Sequence, residues 1–179
     1  MFEYINYLDK EITLLINSLS GDTLDIFMIF FSNKYVWIPL YLFIIYKLYL
    51  YNNKRYLVHV SICIIAVLIS DFITSSIMKP FFERLRPCHI KDLNGVIDVV
   101  SGCGGKFGFA SSHASSTFSL ASIVFLITHK KIKYLFFWSL VVGYSRIYLG
   151  VHFFTDVIVG FIVGGLTSLV LYRILNSKL

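Results

Sequence analysis

The sequence predicts an all-α fold: a polytopic bundle of transmembrane helices, with about five spans and an N-terminal amphipathic helix lying in the interface. Three observations carry this. Of 179 residues, 57% are hydrophobic and 15% charged, where a soluble domain is about 25% charged. Mean hydropathy is +0.75, and a chain this short has too little interior to hide so much apolar surface, so lipid is the solvent for much of it. Apolar runs recur at roughly the 20-residue length that crosses a bilayer. Residues 1–179 form one domain on this reading.

Along residues 4–19, Ile5, Leu8, Ile12, Leu15 and Ile16 recur at helical spacing opposite Asp9, Lys10 and Glu11. That pattern predicts a helix in the membrane interface over the first 20 residues, with a short sixth span as the alternative. No basic stretch of a cleavable signal precedes it, since the first cation is Lys10. The spans themselves are therefore expected to direct insertion. The first span covers 24–51, broken near Ser32-Asn33-Lys34, with Pro39 as a kink. The second covers 56–78 and is expected to stop at Pro80, because a residue before proline avoids helical geometry. The remaining spans are 112–128, 132–149 and 154–175.

Charge orients these spans. Lys47, Lys54, Arg55, Lys130, Lys131, Lys133, Arg173 and Lys178 fall on one side, around short acid-free connections. The other side carries as many cations, but Lys79, Arg86 and Arg146 there have a chemical reason to be present. The basic connections are thus expected in the cytoplasm and the segment 79–111 outside it. The net charge of +6 suits an anionic lipid head group, and nothing in the chain reads as a nucleic-acid module.

Ionisable groups near a bilayer are costly, so their placement points to function. With this threading, Lys79 and Arg86, the Ser111-Ser112-His113 helix start, Arg146, and the His152/Asp156 pair all reach the same side. Asp156 lies one helical turn after His152. A carboxylate on one imidazole nitrogen fixes the tautomer and raises the basicity of the other, as a histidine nucleophile or base requires. A plain helix-start pair is the structural alternative. Arg146 offers a planar fork of donors for phosphate oxygens, with Lys79 and Arg86 as further cations, although each alone could mark a span end by snorkelling. Ser111 and Ser112 open an apolar helix where free N–H groups favour an anion, or act simply as caps. His113 then suits protonation of a leaving group. Together these groups describe phosphoryl transfer to a histidine, with cations in place of a metal. A non-catalytic transporter or lipid-binding protein would also keep intramembrane charges, but would not need His113 to meet His152.

The run Lys79-Pro-Phe-Phe-Glu-Arg-Leu-Arg86-Pro87, the segment Phe109-Ala-Ser-Ser-His113, and Ser145-Arg146 with Gly150, His152 and Asp156 resemble the three signatures of the type 2 phosphatidic acid phosphatase family, which is related to vanadium haloperoxidases. The likeness covers roughly residues 20–175. It implies that His152 attacks phosphorus to form a phosphohistidine supported by Asp156, and that His113 protonates the departing group. It also implies that Lys79, Arg86, Ser111, Ser112 and Arg146 hold the phosphate. The family is integral to membranes, uses no metal or other cofactor, and acts on lipid phosphates or diphosphates. The second signature usually reads Pro-Ser-Gly-His, where this chain has Ala110 and Ser112. Were that glycine needed for positive φ, Ser112 would be strained; were only its N–H needed, Ser112 adds a hydroxyl. The latter is the expectation. The first substrate expected is an isoprenoid carrier, undecaprenyl diphosphate, in a bacterial inner membrane with the site facing the periplasm. Lipid A, phosphatidylglycerophosphate and phosphatidate follow. A haloperoxidase-like oxidase is disfavoured in so small a membrane chain.

The remaining features have simpler readings. Asp71, inside the second span, is expected to pair with Lys79 or a neighbouring helix. Cys88 and Cys103 flank the outer loop and form a disulfide if that loop meets an oxidising compartment, while Cys63 lies in the second span. His89 adjoins Cys88 without a recognisable metal-ligand set. Gly102, Gly104, Gly105 and Lys106 lack the Walker spacing and read as a flexible loop. Gly160 and Gly164 predict close helix packing within the bundle. His59 and His129 fall near the opposite face.

Overall fold

The computed structural model describes residues 2–176, and the elements among them are helical apart from one isolated bridge, Leu85 to Phe107. Helix α1 (Phe2–Asn17) meets α2 (Asp22–Ser32) at 114°. A 3-10 turn (Lys34–Trp37) leads to α3 (Ile38–Tyr51), and α4 (Tyr56–Phe72) follows. A π-turn (Ile73–Met78) carries α4 directly into α5 (Lys79–Phe82). After a long outer segment come α6 (Ser112–Ile127), α7 (Tyr134–Tyr148) and α8 (Phe154–Asn176).

The predicted span 24–51 is not one helix. Asn33 ends α2, and its side-chain oxygen accepts the Tyr35 N–H at 3.0 Å to start the 3-10 turn. Pro39 then sits in the first turn of α3, where its missing N–H costs nothing, so it starts a helix rather than kinking one. Nor does Pro80 stop the second span. The continuous helix runs Tyr56–Phe82, because the π-turn just before Lys79 alters the hydrogen-bond register that a proline would otherwise break. By length and apolarity Tyr56–Phe82 and Phe154–Leu175 qualify as membrane spans, with the bent pair Glu3–Asn17 and Asp22–Ser32 as a third if counted together. Helix α6 is apolar but has 16 residues. Among the described residues helix length therefore gives two or three candidate spans, and five or six is not a count that length alone carries.

The outside of the bundle is strongly apolar: Leu42, Leu57, Leu68, Phe137 and Leu166 are all exposed. Helix α1 departs from the expected two-faced pattern. Ile5, Leu8 and Leu15 do face outward, but Asp9, Thr13 and Asn17, at i, i+4 and i+8, form a buried polar stripe. The apolar face suits lipid and the polar stripe has protein partners.

Helix α6 is the centre of the bundle, and small residues let its neighbours approach it. Ala114, Ser115, Ser119 and Ala121 on α6 are fully buried. A Cβ on Gly160 of α8 would stand 2.6 Å from the Ser111 carbonyl oxygen, and one on Gly164 would collide with that of Ser115. The predicted glycine packing is thus between α8 and α6 of the same chain. Hydroxyls tie the helices further: Ser119 and Ser168 are 3.0 Å apart, and Thr117 and Ser139 2.8 Å apart.

The outer segment folds down over the start of α8. Leu93 and Ile97 pack on Phe153, and Cys88 and Cys103 are joined in a disulfide with their Cα atoms 6.0 Å apart. His89 is beside this bridge, whose sulfurs are no longer free thiols for a metal. Asn17 anchors the segment, donating to the carbonyls of Asp98 (2.8 Å) and Tyr148 (2.7 Å) while accepting the Asp98 N–H (2.8 Å). Gly150 lies under it with φ +72, and a Cβ there would meet the Asp98 oxygen at 2.8 Å, so two separate reasons require glycine.

Substituting Gly160→Val forces α6 and α8 apart. Overpacking of this kind costs about 1–3 kcal/mol, so thermal unfolding in detergent is expected at a lower temperature than wild type; an unchanged midpoint would contradict the close contact.

Candidate active site

The segments singled out in the sequence meet at one end of the bundle. At the start of α8, the Asp156 side chain is fully buried. Its Oδ2 lies 3.3 Å from His152 Nδ1 and accepts the Phe153 N–H at 3.1 Å. Its main-chain oxygen accepts the Ser111 N–H at 2.9 Å, which fastens the second motif to the third. With Nδ1 facing the carboxylate, the His152 tautomer carries its proton there and leaves the Nε2 lone pair free.

Lys79 Nζ donates to Ser112 Oγ at 2.7 Å, and Ser112 Oγ is 2.8 Å from Ser75 Oγ. Ser75 in turn donates to Asp71 Oδ1 at 3.3 Å. Asp71 thus reaches Lys79 through two hydroxyls rather than by the direct pairing expected. Ser112 is not among the residues with positive φ, so the serine in place of glycine is unstrained and its hydroxyl is in use. Arg86 turns toward the outer segment: Nε donates to the Phe107 carbonyl at 3.2 Å and Nη1 to that of Cys103 at 2.9 Å. Gly104, at φ +73, leaves room for that guanidinium. The glycine-rich stretch is therefore held in place by Arg86. Arg146 Nη1 contacts Ser32 Oγ of α2, while its Nε is buried and has no hydrogen-bond partner among the described residues. Ser111 Oγ is in the same condition.

His113 is half-buried in the first turn of α6, within electrostatic reach of His152, Arg146, Lys79 and Arg86. Both imidazoles and all three cations therefore share one neighbourhood. His152 is 1% exposed. Burial, and then the charges of Arg146, Arg86 and Lys79, hold its pKa well below the ordinary 6.5, so the ring is neutral.

Several residues here were not selected from the sequence. Gly108 is buried, and a Cβ there would lie 2.9 Å from Asp156 Oδ2 and 3.5 Å from His152 Nδ1. Arg84 donates to Asp156 Oδ1 at 2.8 Å and to Asp9 Oδ2 at 2.5 Å. Ser32, Ser75 and Thr155 also contribute hydroxyls. The spacing of Asp9, Thr13 and Asn17 is a usable signal for the buried stripe; the remaining contacts arise from tertiary packing.

Residues 59–179 match the profile of the PAP2 superfamily. The chain belongs to that family. It is 37% identical over 96% of its length to a protein of Porphyromonas gingivalis named lipid A 4'-phosphatase, covering 75% of that protein. A Bacteroides thetaiotaomicron protein of the same name is 31% identical over 99% of the chain, which covers 81% of it. Among solved structures, Aquifex aeolicus LpxE is similar with a TM-score of 0.71 and 28% identity, covering 93% of this chain and 95% of that one. The chain is thus an integral-membrane enzyme of the lipid-phosphatase class, as the resemblance implied.

Because folded His152 is neutral and the unfolded ring takes up a proton near pH 6.5, acidification below 6.5 favours the unfolded chain. A histidine-selective NMR titration is expected to show the His152 ring unprotonated at pH 5.5. A midpoint near 6.5 would contradict the burial described.

Proposed function

We propose that the enzyme hydrolyses a phosphate monoester of a glycolipid, with the 4'-phosphate of lipid A as first substrate, by a metal-independent phosphohistidine mechanism. The buried His152–Asp156 pair, set among Lys79, Arg86 and Arg146, carries this reading. The substrate preference rests on the two lipid A 4'-phosphatases that align over nearly the whole chain, which puts undecaprenyl diphosphate, the first expectation from sequence, behind lipid A.

In the first step His152 Nε2 forms a bond to phosphorus as the bond to the leaving oxygen breaks. His113 gives that oxygen its proton, and the alcohol departs. Asp156 balances the positive charge that develops on the imidazole. Lys79 and Arg146 face the equatorial oxygens. The buried Ser111 Oγ and Arg146 Nε, without a hydrogen-bond partner among the described residues, match an anion's need for donors. In the second step His113 takes a proton from water, the water oxygen attacks phosphorus, and His152 leaves with phosphate released.

An apolar groove of about 580 Å³ runs between α3 and α4, past Tyr41, Leu68 and Trp138. It is also lined by Ser116 and Thr117, one turn along α6 from Ser112 and His113. A chain lying in lipid beside it reaches the phosphate cradle without leaving hydrocarbon, which suits an acyl tail. The cradle faces the periplasm on the charge argument, in a bacterial inner membrane.

Detergent-purified protein in excess chelator is expected to release phosphate from lipid A faster than from undecaprenyl diphosphate, phosphatidylglycerophosphate or phosphatidate. His152→Ala abolishes turnover, and His113→Ala lowers kcat by about 10²–10⁴. Normal turnover in His152→Ala, or loss on chelation, would refute the mechanism, and a faster rate on another lipid would reassign the substrate. For sidedness, an impermeant thiol reagent is expected to label Lys106→Cys from outside the cell; labelling from the cytoplasm alone would invert the topology.

A further inference from the structure

Asp9 sits on a helix that precedes the residues matched to the family, yet it is 2% exposed and makes charged contacts toward the reaction centre. Its Oδ1 accepts the Thr155 N–H at 2.8 Å, and its Oδ2 accepts the Thr155 hydroxyl at 2.6 Å and Arg84 Nη2 at 2.5 Å. Arg84 uses its other terminal nitrogen on the catalytic side, donating from Nη1 to Asp156 Oδ1 and to Thr155 Oγ1, each at 2.8 Å. The guanidinium carbon lies 4.2 Å from the centre of the Phe153 ring, so one face is packed as well. Thr13 Oγ1 accepts the Phe154 N–H at 3.0 Å, a second tie from the same stripe to the same turn.

We propose that Asp9 and Arg84 are positioning residues for the His152–Asp156 pair, acting through the carboxylate of Asp156 and making the N-terminal helix part of the catalytic apparatus. This rests on the assignment of Asp156 as the partner of His152. The two oxygens of Asp156 divide their work: Oδ2 serves the imidazole while Oδ1 is held by Arg84. A carboxylate gripped only at Oδ2 is free to turn toward Lys79, Arg86 or Arg146, and the imidazole loses its alignment with phosphorus. Arg84 alone has a long flexible stem. Asp9 supplies the second anchor that fixes the guanidinium, and Thr155 braces the Asp9 carboxylate and the guanidinium together. A planar fork with two terminal nitrogens spans two acids in this way, whereas a lysine cannot.

The test uses full-length protein in detergent with Asp9→Asn, Arg84→Gln, Arg84→Lys and the Asp9→Asn/Arg84→Gln double variant, assayed beside wild type and His152→Ala. Loss of an orienting partner of this kind typically costs about 10–100-fold in activity. Asp9→Asn and Arg84→Gln are each expected to lower kcat by that factor with KM unchanged. Arg84→Lys, which keeps the charge but not the planar fork, does not restore kcat. The double variant is no slower than the slower single one, since both act through a single contact. Unchanged kcat in Asp9→Asn and Arg84→Gln with inactive His152→Ala would overturn the proposal. So would a rise in KM alone, which would make Arg84 a substrate ligand, or a lower melting temperature with kcat per folded molecule intact. An active His152→Ala, or an inactive wild type, strikes instead at the assignment of the catalytic pair.

Discussion

A carboxylate with no access to water is the constraint around which this end of the molecule is arranged. Asp156 is fully buried and still meets a histidine, an arginine and a main-chain N–H, each from a different direction. Stripping hydration from such a group is expensive unless every lone pair is answered. The answers come from far apart in the chain: Arg84 from the outer segment, held by Asp9 of α1, and Phe153 from the turn into α8. The main-chain oxygen of the same residue then captures the Ser111 N–H. One acidic residue thereby specifies the relative placement of the second and third motifs, as well as serving the imidazole.

That arrangement is possible because the scaffold lets backbones come very close. Helices α6 and α8 touch where glycine faces serine and alanine, and hydroxyl pairs replace the hydrophobic drive that lipid does not provide between helices. The start of α6, bearing Ser112 and His113, is in this way brought against the start of α8. The outer segment closes over both, bridged at Cys88 and Cys103 and pinned by Arg86. His152 is thus sealed beneath a cover whose own arginine belongs to the first motif.

Much of this was legible in the sequence, for a physical reason: charged and imidazole groups stand out in an apolar chain because lipid tolerates them poorly. Lys79, Arg86, His113, Arg146, His152 and Asp156 could be placed on one side by counting crossings, and they do converge. The extents of α6, α7 and α8 also followed from apolar run length to within a residue or two. Periodicity failed where polar residues point inward. Asp9 was grouped with Lys10 and Glu11 as the polar face of an interfacial helix, whereas it is buried in line with Thr13 and Asn17, because spacing does not say which face meets protein when the outside is lipid. Pro39 and Pro80 were misread because the effect of a proline depends on its position in the helix and on the winding before it. Arg84 lay inside the first motif but its partners are 75 and 72 residues away in sequence, a separation no local pattern reports.

The π-turn before Lys79 has a further implication. Each helical residue advances by about 100° around the axis, so Ser75 and Lys79, four residues apart, share a face and both meet Ser112, while the wider winding of 73–78 changes the angle of that face relative to α4. Angular position, and not only the identity of the letters, is what delivers the ammonium group. Grafted onto a uniformly wound helix, the same nine residues from Lys79 to Pro87 would be complete on paper, yet would leave the preceding helix at a different angle.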